Sequence, residues 1–317
     1  MRTSKLVVLI AAISTFVGIP VGAYADEHGQ KTILITGATT GIGRNLAESL
    51  AAEGHFVYAG ARKQKDMDEL NAIDNIMAVR LDVTSQEDID AAVELIKSEG
   101  RGLYALVNNA GVYAGIEVIQ TSMRDLDFVM GVNVDGVFRV TKAFAPLVIE
   151  EKGRIATTGS IAGIKSNPGG SAYSMSKHAM EAFADSLAGE MEPLGVKVSI
   201  VEPGSYKSHI RRTAVGRAMK EMNAAGVEPP EGMEEFAAAT AERELSYKEP
   251  DDVTEAFKHA LFAEEPHMRY MVVPNEEQQS ETIDKQIREL VQLNQWGPYS
   301  YTRDELVEKL DKALAEN

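Results

Sequence analysis

Residues 32–50, Thr32-Ile33-Leu34-Ile35-Thr36-Gly37-Ala38-Thr39-Thr40-Gly41-Ile42-Gly43-Arg44-Asn45-Leu46-Ala47-Glu48-Ser49-Leu50, decide the fold of this chain. Thr32 to Thr36 is a short apolar run that stops at a glycine turn, the pattern of a buried strand. From Ile42 to Glu53 the apolar residues Ile42, Leu46, Ala47 and Leu50 recur at helical spacing. Between the two, Gly37, Gly41 and Gly43 allow a tight turn and let the backbone approach a ligand without a Cβ in the way. The helix that follows offers unpaired N–H groups to an anion such as a phosphate. A glycine triplet alone says little. Its place after a strand and before a helix gives it meaning.

The alternation continues outward from there. Further strands are expected at 55–59, 76–81, 103–107, 154–158 and 196–201, with helices near 85–98, 122–150 and 172–192 and a last strand at Arg269 to Val273. Near-continuous apolar strands separated by helices imply an α/β fold, a doubly wound parallel sheet covered by helices on both faces. Residues 205–247, rich in Ala, Met, Glu and Arg with Pro229-Pro230 in the middle, read as a helical insertion. Beyond 275 lie a helix candidate near 276–293 and a second opening at Thr302, with Glu305 completing a capping box.

Bulk properties narrow the function. The net charge of −16 argues against a nucleic-acid partner, because phosphate neutralisation needs clustered Lys and Arg. With no cysteine among 317 residues, disulfides, thiolate chemistry and Cys-ligated metals are excluded, and no metal site is expected. Arg2 and Lys5, an apolar stretch from Leu6 to Gly22 and Ala23-Tyr24-Ala25 have the order of a secretory leader. Residues 1–25 are therefore expected to be a cleaved signal peptide, or else a membrane anchor. Either places the chain outside, periplasmic or secreted; a mis-assigned start would make it cytoplasmic.

Tyr173-Ser174-Met175-Ser176-Lys177 carries the chemistry. Residues four apart lie on one helical face, so the Lys177 ammonium can sit beside the Tyr173 hydroxyl. A free phenol titrates near about 10 and is a poor base at neutral pH. A neighbouring cation lowers that value and makes the phenol a usable general acid or base. Ser160 stands thirteen residues upstream, at the end of the strand 154–158.

Together these motifs resemble the short-chain dehydrogenase/reductase family in its short, single-domain branch, over residues 31–275. The glycine spacing G-x-x-x-G-x-G, Leu81-Asp82-Val83-Thr84, Asn108-Asn109-Ala110-Gly111, Asn133, Ser160, Tyr-x-x-x-Lys and Pro203-Gly204 occur in the family's order. The resemblance implies a Rossmann-type domain over 26–275 with a substrate lid at 205–247, and a C-terminal helical extension over 276–317 that the family pattern does not explain. It implies a cofactor site made of Gly37, Thr39, Thr40, Gly41, Ile42, Gly43, Arg62, Asp82, Val83, Asn109, Ala110, Gly111, Tyr173, Lys177, Pro203, Gly204, Tyr206 and Ser208. It also implies a catalytic group of Ser160, Tyr173, Lys177 and Asn133, in which Ser160 holds the substrate oxygen and Asn133 anchors a water-linked proton path to Lys177. Where an acidic residue would read the ribose of NAD, this chain has Ala61 followed by Arg62, so NADP(H) is expected over NAD(H). Thr40 departs from that expectation, because NADP-preferring members often carry a basic residue there.

The function these residues imply is carbonyl–alcohol interconversion on a small, hydrophobic substrate by hydride transfer, in a homodimer or homotetramer. A non-catalytic dinucleotide sensor and a sugar-nucleotide epimerase or dehydratase stand as alternatives. The intact Ser160, Tyr173 and Lys177 speak against the first, and the glycine spacing against the second. In the lid, Met219, Met222, Met233 and Phe236 suit an adaptable apolar pocket or simple lid packing. His209, Arg211 and Arg212 read as a solvated face or as contacts to an anionic group.

Overall fold

A computed structural model describes residues 29–316. The leader reading of residues 1–25 lies outside the described residues. Seven strands, β1 (Thr32–Ile35), β2 (Phe56–Ala61), β3 (Ile76–Arg80), β4 (Ala105–Asn108), β5 (Arg154–Thr158), β6 (Lys197–Pro203) and β7 (Arg269–Val272), form one sheet. Their order is β3-β2-β1-β4-β5-β6-β7, and every pair is parallel. This is the expected doubly wound α/β sheet. Its order reverses between β1 and β4, and the crevice at the carboxyl ends of strands beside such a reversal is where this architecture binds ligands.

Alternate strand residues feed two cores. Ile33, Ile35, Val57, Ala59, Ala105 and Val107 pack on one face against Leu46 and Leu50 of α1 (Gly41–Ala52) and Phe257 and Leu261 of α9 (Asp251–Phe262). Leu34, Tyr58 and Leu106 face the other way, onto Ile89 and Ile96 of α3 (Gln86–Glu99) and Phe144 and Val148 of α5 (Val137–Glu150). With both faces covered, both halves of the alternation are apolar, which explains the near-continuous runs in the sequence.

The helices differ from expectation in three places. The stretch 122–150 is not one helix: α4 (Met123–Met130) and α5 are joined by a π-helical turn, Gly131–Gly136. Two helices had no counterpart in the sequence reading, α2 (Gln64–Asn71) and α9. Only Leu70 of α2 is buried, so it shows almost no apolar periodicity. The catalytic-motif helix is α6 (Ser171–Met191).

The insertion forms α7 (Ile210–Ala224) and α8 (Met233–Leu245), packed on each other. Arg217 ties α7 to α4 by donating to Asp125 at 2.9 Å, with its guanidinium 4.4 Å from the Phe128 ring centroid. The tail forms α10 (Glu276–Asn294) and α11 (Arg303–Glu316). Thr302 and Glu305 cap α11 reciprocally: the Thr302 N–H donates to the Glu305 carboxylate at 2.7 Å and the Glu305 N–H to Thr302 Oγ1 at 3.3 Å. Near its start α10 leans on the sheet's carboxyl end. Gln278 Oε1 accepts from the Ser205 N–H at 2.9 Å, and Glu281 pairs with Lys165. The first tail helix thus braces two segments that follow β5 and β6. Among the described residues no helix is long and apolar enough to cross a membrane.

Candidate active site

The carboxyl ends of β1, β4, β5 and β6 converge on one crevice. Gly41 has φ of +58°, a left-handed conformation that disfavours any side chain. At Gly43 the constraint is space: a Cβ would overlap Asn109 Nδ2 and stand 2.6 Å from the Gly37 carbonyl oxygen. Thr40, the N-cap of α1, makes no side-chain capping bond, so the helix's first N–H groups are not spent on a cap. Beside them a cleft of about 220 Å³ is bordered by Gly41, Arg44, Lys207 and Ser208. A Cβ-free cradle at an uncapped helix end fits a pyrophosphate. Thr39 is half-buried in the same turn, while Ile42 packs against the core.

Asn109 holds this crevice together. Its Nδ2 donates to the carbonyls of Thr36 and Gly37 at 3.0 and 3.1 Å, and its Oδ1 accepts from Thr158 Oγ1 at 3.2 Å. Thr36 Oγ1 accepts from the N–H groups of Asn109 and Ala110, both at 2.9 Å. The Asn109 side chain is therefore a staple across β1, β4 and β5, and Ala110 and Gly111 offer the site only backbone and a small surface. At the adenosine end expected from the sequence, Arg62 is exposed and lies 3.6 Å from Asp82 Oδ2. Burial pushes the Asp82 carboxyl up, but hydrogen bonds from Thr84 and the Arg62 charge outweigh it and hold the pKa below the usual value. Val83 is buried in the core. Pro203 is the last residue of β6, Gly204 lies against Gln278, and Ser208 faces Gly41. Tyr206 is not brought to the crevice by its side chain. It is buried and donates to Asp252 at 2.9 Å, an arrangement that packs the segment after β6 onto α9.

At the chemical end, Ser160 follows β5, Tyr173 and Lys177 share a face of α6, and Tyr113 packs on Tyr173 with ring centroids 5.1 Å apart. Ser160 also caps the short 3₁₀ turn Ile161–Gly163, accepting from the Ala162 N–H at 3.1 Å. Lys177 Nζ sits 5.7 Å from the Tyr173 ring centroid and donates to the Thr158 carbonyl at 2.7 Å.

The electrostatics differ from the expectation that Lys177 acidifies the phenol. Burial raises the Tyr173 pKa above 10; a hydrogen bond with Ser160 and the charge of Arg211 oppose that rise without overcoming it, and Tyr113 adds to it. Burial also pulls the Lys177 pKa down to about 8, against the Glu181 charge. A desolvated ammonium is itself costly, so the protein alone holds the phenol in its acid form.

Asn133 sits in the π-helical turn, a local distortion common at functional sites. Its Oδ1 accepts from the Val112 N–H at 2.8 Å, and its Nδ2 donates to the Val112 carbonyl and to Ser176 Oγ, both at 2.9 Å. These bonds tie the segment after β4 to α6, so Asn133 acts here as a positioning residue.

Two features escaped the sequence reading. Glu181, one turn beyond Lys177, lies against Glu202 at the end of β6, and Arg269 Nε stands 3.4 Å from Glu181 and 3.8 Å from Glu202. Burial and the Glu181 charge push the Glu202 carboxyl up to about 8. Glu244 of the lid is also buried, and accepts from the backbone N–H groups of Arg211 and Arg212 at 2.7 and 3.2 Å. The acidic Glu202 next to Pro203-Gly204 was visible in the sequence, but its partner was not, because the pairing joins residues 21 positions apart on different elements.

The sheet, the glycine cradle at the uncapped end of α1 and the Ser–Tyr–Lys group at the adjoining strand ends define a dinucleotide-binding oxidoreductase. The short chain dehydrogenase family model matches residues 31–217, and the chain belongs to that family. It is 38% identical over 279 residues to the mitochondrial D-beta-hydroxybutyrate dehydrogenase of Bos taurus, covering 80% of this chain and 81% of that one. Its fold is similar to a short chain dehydrogenase/reductase from Burkholderia phymatum in complex with NAD, with a TM-score of 0.71 at 25% identity, covering 86% of this chain and 98% of that one. The closed form of serine dehydrogenase complexed with NADP+ gives a TM-score of 0.64 at 25% identity, over 76% and 93% of the two chains. The chain is thus a nicotinamide-dependent oxidoreductase acting on alcohol or carbonyl groups of small molecules.

Proposed function

We propose that this chain is an NADP(H)-dependent reductase of ketones or aldehydes that present an apolar body to the lid, with Tyr173 as the proton donor. The convergence of Ser160, Tyr173 and Lys177 beside the glycine cradle carries this reading. When bound, a reduced nicotinamide supplies hydride to the carbonyl carbon. The Ser160 and Tyr173 hydroxyls are placed to hydrogen-bond the oxygen that becomes negative. Because its phenol stays protonated at neutral pH, Tyr173 is ready to donate the proton that makes the alcohol. Lys177 would hold the ribose hydroxyls of the cofactor, and burial weakens the ammonium charge that would otherwise favour the phenolate. Oxidation of the alcohol runs the same path backwards and needs the phenolate, so it should gain with rising pH.

Arg62 supports the choice of NADP(H). Its exposed guanidinium, at the end of β2, has a fork that matches a 2′-phosphate, and its one acidic neighbour, Asp82, is 3.6 Å away. Ile116, Val118 and Ile119 after β4 and Phe236 in the lid are exposed apolar side chains, on the two segments that this reading assigns to the substrate body. An NADPH-oxidation screen over ketones, aldehydes and quinones, repeated with NADH, tests the reading. Turnover with NADPH favoured supports it; tight NADPH binding without turnover of any carbonyl overturns it. We further read the enzyme as a homodimer or homotetramer, exported by the leader at 1–25. Light scattering and the mass of the mature N-terminus decide those two points.

A further inference from the structure

The lid brings a guanidinium onto Tyr113, the ring that packs on Tyr173, and among the described residues no carboxylate pairs with it. Arg211 Cζ lies 4.9 Å from the ring centroid of Tyr113, whose ring is in turn 5.1 Å from that of Tyr173. Among the described residues no carboxylate comes within 4 Å of this guanidinium, whereas Arg217 on the same helix is held by both Asp125 and Glu221. The charge of Arg211 reaches the catalytic phenol, where it favours the ionised form.

The position of Arg211 is built. Buried Glu244 accepts from its backbone N–H and from that of Arg212, so the start of α7 is fixed and a carboxylate already occupies these two N–H groups. Any anion must therefore be met by the side chain, not by the helix end. Tyr113 is fixed as well, because it lies so close over Gly115 that a Cβ there would overlap its hydroxyl. The Arg212 charge acts on His209. A planar guanidinium resting on an aromatic face, open on its other edge, presents the two parallel donors that a carboxylate takes up.

We infer that the substrate is an oxo- or hydroxy-carboxylic acid whose carboxylate is bound by Arg211 while its carbonyl or alcohol lies against Ser160 and Tyr173. This rests on the reductase reading and gives that site its substrate class.

The test compares 3-oxobutanoate, 4-oxopentanoate and 5-oxohexanoate with their methyl esters, which differ in charge at one end only. For at least one chain length, kcat/KM for the acid should exceed that for the ester by tenfold or more, chiefly through KM. Arg211→Gln should collapse that ratio towards one, and Arg211→Lys should retain part of it. In parallel, the melting temperature of the NADP-loaded protein is read with each acid and ester. A rise with acid in the wild type that is lost in Arg211→Gln, with no compound turned over, would show the carboxylate bound at Arg211 and place the failure in the reductase reading, so the acid would be a ligand and not a substrate. Equal turnover of acids and esters, or an acid preference undiminished in Arg211→Gln, overturns the assignment and leaves the reductase reading intact.

Discussion

Replacing Glu202 by Gln should change how stability depends on pH. Glu202 is buried at the end of β6 beside Glu181, and burial and the Glu181 charge raise its pKa to about 8 against an ordinary carboxyl value of 4.5. A carboxyl whose native pKa is raised stays protonated in the folded chain after the unfolded chain has lost that proton. Stability from this group is therefore complete below about 4.5, falls as pH climbs towards 8, and is flat above. From pH 5.5 to 8 the loss is about 3 kcal/mol, at 1.36 kcal/mol per pH unit for one proton. Glutamine keeps a donor for Glu181 and cannot ionise, so Glu202→Gln should lack that slope. Lys177, whose native pKa near 8 is depressed, changes stability only above that pH, so the slope in this window belongs to the Glu181–Glu202 pair, both of whose carboxyls burial raises. Melting temperatures of both proteins at half-unit steps from pH 5.5 to 8 measure the difference. The variant should gain on the wild type by roughly 6 °C across the range, at about 2 °C per kcal/mol for a chain of this size. Parallel curves would show that Glu202 is already ionised in the native protein and would refute the shared-proton account.

Gly43→Ala should cost about 1–3 kcal/mol, because the new methyl group meets Asn109 and the Gly37 carbonyl; a lower melting temperature together with a raised Kd for NADPH, read by fluorescence titration, checks it. Arg62→Ala should raise KM for NADPH by tenfold or more and leave KM for NADH nearly unchanged, which steady-state kinetics with the two cofactors will show. Asn133→Ala strands the backbone N–H and carbonyl of Val112, while Ser176 Oγ keeps its bond to the Tyr173 carbonyl, and should destabilise the protein by roughly 2–4 kcal/mol, at about 1–3 kcal/mol for each buried group left unpaired; denaturant unfolding gives the figure.

Much of the fold is written in local signals. The strands β1 and β5 and the helices α1, α3 and α6 follow from apolar runs and spacing, since each buries a continuous face. The π-helical turn at Gly131–Gly136 left no mark in the spacing, because residues on both sides continue to bury apolar side chains. α9 could have been read from Val253, Phe257, Ala260 and Leu261, which lie at helical spacing behind two first-turn acids. At the site, residue types and order identify Ser160, Tyr173 and Lys177. What they do to one another depends on burial. The helical i, i+4 rule places Lys177 near Tyr173 but does not contain the desolvation that raises the phenol and lowers the ammonium. The Glu181–Glu202 pair, the Glu244 support under Arg211 and the inward turn of Tyr206 depend on which elements meet, and no sequence interval encodes that.

The central claim is that the Tyr173 phenol gives the proton that completes carbonyl reduction. Tyr173→Phe removes one oxygen atom and keeps the ring that packs on Tyr113. Single-turnover NADPH oxidation on this variant, with NADPH binding measured on the same sample, tests it most directly. The account predicts unaltered NADPH affinity and a hydride-transfer rate lowered by about 10²–10⁴-fold. A variant that binds NADPH and reduces substrate at the wild-type rate would contradict it.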